Sequence, residues 1–331
     1  ARDCVRRLGR FYSDYGVTYP SGVAVSDPKE VWYIESGGGY CWAAVRIPDN
    51  SYMIAANGYR IGKIDIRDRK NIMVSANLKS LARRNWGKRR IRTIHFSRLV
   101  GGGRTNSAYN SRRIWSGIRH LNPSFQFKPD RSDFPMFIVP ERKIDLRQMA
   151  AILRDRYEGS RFESAACERR ICTPFTVHSS IVQLRAWLPP KLGSVLWAGI
   201  GAPDSTPYIP IYLGILEIHP AFRLAPERYD RKSAFWRFKE ISNLMIPFRA
   251  FLKGPVSTCI NSFEQSLFSG QKPFEQHAMS LFRTDRSTLG KHLTEHTLKR
   301  CSDAIMLATR MQSEIHTIIA RKSRELDFPS R

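Results

Sequence analysis

Six cysteine thiols are the side chains in this sequence best suited to covalent chemistry, and they are spread over the whole chain. A free thiol is mostly protonated at neutral pH, so a catalytic cysteine needs a neighbouring base or cation. Cys167 and Cys172 lie close together, but their spacing matches no zinc pattern. We therefore expect scattered buried thiols, and a disulfide between these two remains an alternative. The other four are Cys4, Cys41, Cys259 and Cys301.

Histidines, carboxylates and glycine clusters form no recognisable catalytic or metal-binding set. His292 and His296 are spaced i, i+4, but no third ligand candidate lies nearby in sequence. His178 falls in a strand pattern that is typical of a packed histidine rather than a general base. Glu35 has no obvious partner for a carboxylate pair, and the glycines at 101–103 lack the lysine of a phosphate loop. We predict no cofactor and no metal.

The charge of the chain is strongly positive, with 54 Lys and Arg against 29 Asp and Glu and a net charge of +25. Residues 69–129 contain 15 basic residues and no acidic one. Such a block could follow a nucleic-acid backbone, or it could repel itself and require counterions. A nucleic-acid-binding or structural protein without catalysis is therefore an alternative function. The aromatic side chains that could stack on bases are Trp86, His95, Phe96 and Trp115.

The length of 331 residues and a hydrophobic content of 42% allow a sizeable core. The longest apolar runs, such as 209–216, are far shorter than the roughly 20 residues of a membrane-spanning helix. No targeting segment is evident, which favours a cytoplasmic location and no membrane partner. The sequence starts at Ala1 rather than at a methionine, as expected of a processed chain or a fragment.

Helical and strand periodicities alternate along the chain in blocks. Val5, Leu8, Tyr12 and Tyr15 share one helical face that Gly16 is placed to end. Strands are predicted at 23–25, 31–35, 40–47 and 52–56, and short helices at 80–86 and 113–120. Asp145 can cap a further helix. Strands are then predicted at 176–185, 194–199 and 208–215, and helices beyond Ser233. This order indicates a layered α+β fold.

Several segments resemble the dipeptidase A and secernin family of cysteine dipeptidases, which belongs to the N-terminal-nucleophile hydrolase superfamily. The clearest are Asp-Pro-Lys-Glu-Val-Trp-Tyr-Ile-Glu at 27–35, Trp-Ala-Ala-Val-Arg-Ile-Pro-Asp at 42–49, Ala-Asn-Gly-Tyr-Arg-Ile-Gly at 56–62 and Tyr-Asn-Ser-Arg-Arg-Ile-Trp at 109–115. Shorter matches lie at 15–17, 121–124, 133–135, 151–155, 157–159, 183–185, 201–203, 210–215 and 232–236. The resemblance runs in order through about residue 250.

The resemblance implies a four-layer αββα sandwich and thiol-dependent cleavage of short peptides, mainly dipeptides. In such a family the nucleophile is a cysteine that becomes the first residue of a strand, and its own α-amino group can act as the base. The segment that should carry this cysteine has no counterpart here. Cys4 lies in a helical run, and Cys41 lies where relatives often have histidine, so neither is expected to be the nucleophile. We therefore expect an inactive fragment or a paralogue without a nucleophile.

Two candidate catalytic residues follow from the resemblance. Asn57 lies at the end of the predicted fourth strand, where related amidases have an oxyanion-hole asparagine; the alternative is a turn residue before Gly58. Arg113 resembles an active-site arginine that lowers the thiol pKa or holds a substrate carboxylate. The alternative for Arg113 is one more cation in a basic stretch. Lys63 departs from the family, since relatives tend to be acidic there.

We expect residues 1–250 to form a truncated dipeptidase-like domain and residues 251–331 to be a mainly helical extension of it. The expected partners are short peptides as substrates. Because a sheet that lacks a strand exposes its edge, a missing N-terminal segment or a second copy of the chain is a further expected partner.

Overall fold

The computed structural model describes residues 1–87, 90–101, 108–163 and 169–327. The chain divides into two compact units. The first comprises Ala1–Ile144 with Gly159–Arg169, and the second comprises Asp145–Glu158 with Arg170–Arg331. Helices and strands occur in both units, which confirms the mixed α and β character predicted from the sequence.

The first unit begins with a helix that packs on an antiparallel meander. The elements are α1 (Arg2–Tyr15), β1 (Gly22–Ser26), β2 (Val31–Ser36) and β3 (Trp42–Ile47). Gly16 ends α1 at a φ of 74°, a backbone conformation that glycine adopts without steric cost. The predicted helix and the first three predicted strands are therefore confirmed.

The two faces of this meander follow from strand alternation. Trp32 and Ile34 point towards α1 and pack with Val5, whereas Tyr33 belongs to a cluster on the opposite face. At Gly9 a Cβ would lie 2.4 Å from the Trp42 ring, so α1 can approach the sheet only with glycine there. Because both faces are covered, this sheet forms the centre of the unit.

The prediction of a fourth strand at 52–56 is wrong. Next come β4 (Lys63–Asp65) and β5 (Ile72–Val74), and it is β5 that pairs with β3 as the fourth strand. In the segment 52–56, Tyr52 forms an isolated bridge, and the Ile54 carbonyl accepts a hydrogen bond from the Arg60 side chain. These bonds go to Ile138 and to a side chain rather than to a strand of the sheet, so the segment is irregular.

The remaining elements of the first unit cover the second face of the sheet. They are α2 (Leu78–Trp86), β6 (Thr93–His95), α3 (Phe96–Val100) and α4 (Ala108–Leu121), and β6 pairs with β4. Leu78, Ile94 and Phe96 are fully buried in the same cluster as Tyr33. The short helices predicted at 80–86 and 113–120 correspond to α2 and to part of α4.

The second unit contains a three-stranded antiparallel sheet packed by helices. Its first elements are α5 (Leu146–Arg154), β7 (His178–Leu184), α6 (Pro190–Gly193), β8 (Ser194–Ile200), β9 (Ile209–Tyr212) and α7 (Pro220–Arg223). Asp145 begins α5 as predicted, accepting from the Gln148 backbone while the Gln148 side chain accepts from Asp145. The three predicted strands of this region are confirmed.

Two long helices, α8 (Ala234–Thr284) and α9 (Thr288–Asp327), end the chain. They pack along an apolar seam that includes Phe238, Leu252 and Leu307. Pro247 cannot donate a helical hydrogen bond, and the kink falls at Phe248, whose φ and ψ are −113° and 21°. In the described part of the chain, no helix combines the length and apolarity needed to cross a membrane.

Candidate functional site

Asn57 lies in a bend after the irregular segment 52–56, and its side chain is exposed. Arg113 lies on the first half of α4, 56 residues further along the chain. The structure brings the two into direct contact, since Arg113 Nη1 donates to Asn57 Oδ1 over 2.7 Å. The two residues singled out from the sequence therefore belong to one local arrangement of the first unit.

The Arg113 guanidinium is held on three sides by its own helix and by Asn57. Its Nη2 donates to Asn110 Oδ1 over 2.8 Å, and its Nε donates to the Tyr109 carbonyl over 3.1 Å. Its Cζ lies 4.8 Å from the centre of the Tyr109 ring, a cation–π distance. Because all three guanidinium nitrogens are engaged, Arg113 is better placed to orient Asn57 than to bind a substrate carboxylate.

The contact with Arg113 fixes which end of the Asn57 amide faces outward. A guanidinium has donors and no acceptor, so the end of the amide that it contacts must be the oxygen. The Nδ2 hydrogens therefore point away from Arg113, and none of the described residues accepts a bond from them. An amide donor held in a fixed direction is what an oxyanion-stabilising group requires.

The backbone that follows Asn57 is held by a buried carboxylate. Glu35 is 2% exposed, and it accepts from the backbone N–H of Arg60 over 2.6 Å and of Ile61 over 2.8 Å. Arg60, which is 7% exposed, donates to the carbonyls of Ile54 and Phe134 at 2.8 and 2.9 Å and also to that of Pro135. Glu35 and Arg60 thus clamp the loop on either side of Asn57.

Neither member of this clamp was singled out as functional from the sequence. Glu35 did carry a signal, because it shares the inward face of β2 with Tyr33 by strict alternation, and a carboxylate on a buried face needs partners. Arg60 had no comparable signal. Its partners are backbone carbonyls up to 75 residues away, which no local pattern identifies.

Burial raises the pKa of Glu35 to about 7, although hydrogen bonds from Ile61, Arg60 and Tyr33 oppose the shift. Burial also lowers the pKa of Arg60 to about 10. A carboxyl whose folded pKa exceeds its unfolded value binds its proton more tightly in the folded state. The contribution of Glu35 to stability is therefore unaffected by pH below about 4.5 and declines as the pH rises towards 7.

Glu35→Gln should remove this pH dependence. Between pH 4.5 and 7 the wild-type chain should lose on the order of 3 kcal/mol from ionisation of the buried carboxyl, and the neutral amide should lose little. Protection factors for the Arg60 and Ile61 amides, measured by hydrogen exchange across this range, report the effect locally. Glu227→Gln, which changes an exposed carboxylate, is the matched control. An equal pH slope in wild type and Glu35→Gln would contradict the assignment.

A cavity of about 640 Å³ adjoins this arrangement. Gly58, next to Asn57, lines it, and so does Asn110, which shares the Arg113 guanidinium. Its lining includes Arg60, Lys63, His95, Arg98 and Asp133, together with the phenol of Tyr59. A volume of this size is in the range of small-ligand sites, and it presents both cations and a carboxylate.

The described thiols lie elsewhere in the fold. Cys4 is exposed on α1, which departs from the expectation of buried thiols, and Cys41 is buried just before β3. Burial raises the pKa of Cys41, and it raises the pKa of Cys172 and of Cys301 to about 12. Cys172 is a free thiol, so the disulfide left open from the sequence does not form; Cys167 lies outside the described residues. Of the described cysteines, none lines the cavity.

Other residues considered from the sequence are not brought into this site. His178 begins β7 and is exposed rather than packed, which corrects that prediction. His292 and His296 stack on Phe274, with ring centroids 5.1 and 3.5 Å apart. Within the described ranges no group of three His, Cys, Asp or Glu side chains is arranged to hold a metal ion. Of the glycines at 101–103, Gly101 lines the cavity and the other two lie outside the described residues.

Sequence comparison defines the class of protein to which this fold and this site belong. The sequence model of peptidase family C69 matches residues 1–254. The chain therefore belongs to peptidase family C69, which confirms the resemblance to cysteine dipeptidases.

Particular relatives carry dipeptidase names. A probable dipeptidase of Latilactobacillus sakei is 26% identical over 326 residues, which cover 96% of this chain and 65% of that protein. A probable dipeptidase B of Lactococcus lactis is 31% identical over 251 residues, covering 71% of this chain and 52% of the relative. A probable dipeptidase of Salmonella dublin is 31% identical over 229 residues, covering 66% and 53%. The chain thus spans between about half and 65% of the length of these relatives.

Proposed function

We propose that this chain forms the substrate-binding part of a thiol-dependent dipeptidase and that the cavity beside Asn57 holds the dipeptide. The observation that supports this most directly is the Arg113–Asn57 contact, which directs an amide donor outward beside that cavity. Membership of a peptidase family and the dipeptidase names of the relatives agree with this proposal.

The charges of the cavity match the two ends of a dipeptide. A free dipeptide carries an α-carboxylate and an α-ammonium group at neutral pH. Arg98 and Lys63 are exposed cations of the lining and form no ion pair with any described residue, so they would bind the carboxylate. Asp133 would bind the ammonium group in exchange for part of its 3.5 Å pairing with Arg131.

In this proposal Asn57 donates to the oxygen of the scissile carbonyl as negative charge develops on it, and Arg113 positions Asn57. Arg113 acts through the amide rather than on the substrate. The nucleophilic thiol and its α-amino base, which the family resemblance implies, come from outside the described cysteines. Two features support that placement: burial raises the pKa of Cys41, Cys172 and Cys301, and Cys4 on α1 does not line the cavity.

We also infer the organisation expected from the sequence. Residues 1–250 would form the incomplete dipeptidase domain of a four-layer αββα sandwich, with residues 251–331 as its helical extension. The family match over residues 1–254 supports this boundary. The helix-covered, two-faced sheet of the first unit is compatible with two layers of such a sandwich.

Arg98→Gln should weaken dipeptide binding by about tenfold, because a charge-assisted hydrogen bond to the carboxylate is lost. The readout is calorimetric titration of the chain with glycyl-leucine, over a period in which the dipeptide stays intact. Glycyl-leucine amide lacks the carboxylate, so its weaker binding should change less than twofold in the same variant. N-acetylglycyl-leucine lacks the ammonium group and should bind weakly to both forms but remain sensitive to Arg98→Gln.

Arg142→Gln provides the matched control, since Arg142 is an exposed arginine of the same unit that does not line the cavity. It should leave all three affinities unchanged. If Arg98→Gln lowers the affinities for the dipeptide and for its amide equally, Arg98 does not bind the substrate carboxylate. Equal binding of the free and both capped dipeptides to the wild-type chain would overturn the assignment of the cavity.

A further inference from the structure

A second concavity of the first unit, of about 560 Å³, is surrounded by cationic side chains. These six are Arg67, Arg69, Lys79, Arg83, Arg90 and Arg92, and we call the concavity the basic groove. All six side chains are exposed. The groove shares no lining residue with the cavity beside Asn57, so it is a separate feature of the surface.

Three separate segments bring these charges together. Arg67 and Arg69 lie in the loop between β4 and β5, and Arg90 and Arg92 lie in the approach to β6. Lys79 and Arg83 are one turn apart on α2, so they project from the same face of that helix. The convergence is therefore a product of the fold, whereas the sequence shows only a basic stretch.

Little of this charge is neutralised within the chain. Asp65 pairs with Arg67 at 3.4 Å and with Arg92 at 3.0 Å, so one carboxylate is shared by two arginines. The side chains of the other four cations make no ion pair or hydrogen bond with any described residue. Like charges gathered without counter-charges cost free energy, which a polyanion would recover.

The surroundings of the groove favour one kind of polyanion. Its large apolar lining residues, Ile66, Val74 and Ile91, are half-buried or buried, and the exposed apolar residue, Ala76, is too small to anchor the chain in a lipid layer. None of the four aromatic side chains proposed from the sequence for base stacking lines the groove; Phe96 is fully buried, and Trp86 packs against the core. A single strand gains affinity when its bases stack on aromatic side chains, and none of the described residues that line the groove is aromatic.

The geometry points to a site for the phosphate backbone of double-stranded nucleic acid, read without sequence preference. A duplex presents closely spaced phosphates on a rigid surface and needs only cations from its partner. Lys79 and Arg83 supply two contacts from α2, and the flanking loops supply the others. This site goes beyond dipeptide hydrolysis and is independent of it.

The test compares two charge-reversed helix faces. Binding of a fluorescein-labelled 20-base-pair DNA duplex is followed by anisotropy from 50 to 200 mM KCl. Lys79→Glu/Arg83→Glu should weaken binding at least tenfold at 50 mM KCl and reduce the salt slope by about 2. Arg7→Glu/Arg10→Glu makes the same change in net charge on an exposed face of α1, and it should cost less than threefold.

A neutral variant separates loss of binding from loss of folding. It is needed because the glutamate of Arg83→Glu lies in the last turn of α2, where it opposes the helix dipole. Lys79→Gln/Arg83→Gln should also weaken binding of the duplex, by a smaller factor than the charge reversal does. Its circular dichroism spectrum should be unchanged. Equal losses in the α1 and α2 variants would overturn the proposal, since attraction would then come from net charge alone. Tighter binding of the single strand, or of phosphatidylserine vesicles, would also overturn it.

Discussion

Glu275→Ala should lower the free energy of unfolding by about 3–5 kcal/mol, because it leaves a buried arginine without its counter-charge. Arg185 and Glu275 are 8% and 7% exposed. Their two hydrogen bonds, Nη1 to Oε2 and Nη2 to Oε1, measure 2.6 and 2.7 Å. Tyr212 and Gln271 also donate to Glu275 Oε1, at 3.0 and 2.9 Å. Removal of one carboxylate therefore strands three partners in the core of the second unit.

Urea unfolding, with hydrogen exchange of the β7–β9 amides as the local readout, measures this loss. Arg185→Met/Glu275→Leu should recover most of the stability, since apolar side chains of similar size need no partner. Lys299→Ala is the control within the same unit: Lys299 lies 3.6 Å from Asp303, but its side chain is 67% exposed, and the change should cost less than about 1 kcal/mol. A Glu275→Ala cost as small as the control would refute the argument.

The same helix makes a second buried ion pair of this type. Glu264 of α8 accepts from Arg154 Nη1 and Nη2 at 2.8 and 2.6 Å, and from the Tyr208 backbone N–H at 2.7 Å. The two buried carboxylates of α8, Glu264 and Glu275, thus connect the helix to earlier parts of the unit. In the sequence, each lies on the apolar stripe of α8, three residues before Leu267 or Ala278. That position predicts a buried partner, but no local pattern identifies which arginine it is.

The elements of this fold that sequence patterns predicted are those whose cause is local. The strand predicted at 31–35 corresponds to β2, and the predicted cap at Asp145 gave the start of α5. The fourth strand failed for a non-local reason. Tyr52 pairs with Ile138, the Ile54 carbonyl accepts from Arg60, and the sheet position beside β3 is taken by β5. Local propensity cannot predict which of two distant segments will pair with β3.

The site was predictable in a similar, partial way. Asn57 and Arg113 came from a family resemblance, and the resemblance did not indicate that they touch. It suggested that Arg113 could act on a thiol or on a carboxylate, whereas its contacts with Asn57, Asn110 and Tyr109 favour the positioning role that we propose. The role of an arginine depends on which acceptors surround it, and that information lies in the tertiary structure.

Asn57→Ala should reduce kcat for dipeptide hydrolysis by about 10²-fold and leave KM within a factor of about three. The Asn57 amide would meet the oxygen only as charge develops, so its loss affects the transition state more than substrate binding. The kinetics are measured on the chain extended upstream by its own coding sequence, under reducing conditions. A change confined to KM would show that Asn57 binds the ground state and is no oxyanion donor.

Arg113 provides the decisive comparison, because a positioning residue and the group it positions should not have additive effects. Arg113→Ala should lower kcat by roughly tenfold or more, since the freed amide rotates, and Arg113→Lys should restore part of it. Asn57→Ala/Arg113→Ala should then be no slower than Asn57→Ala alone. Multiplicative losses in the double variant would mean that Arg113 acts on the substrate or the thiol directly. The guanidinium contacts with Asn57, Asn110 and Tyr109 argue against that result, because they leave each of its three nitrogens already engaged.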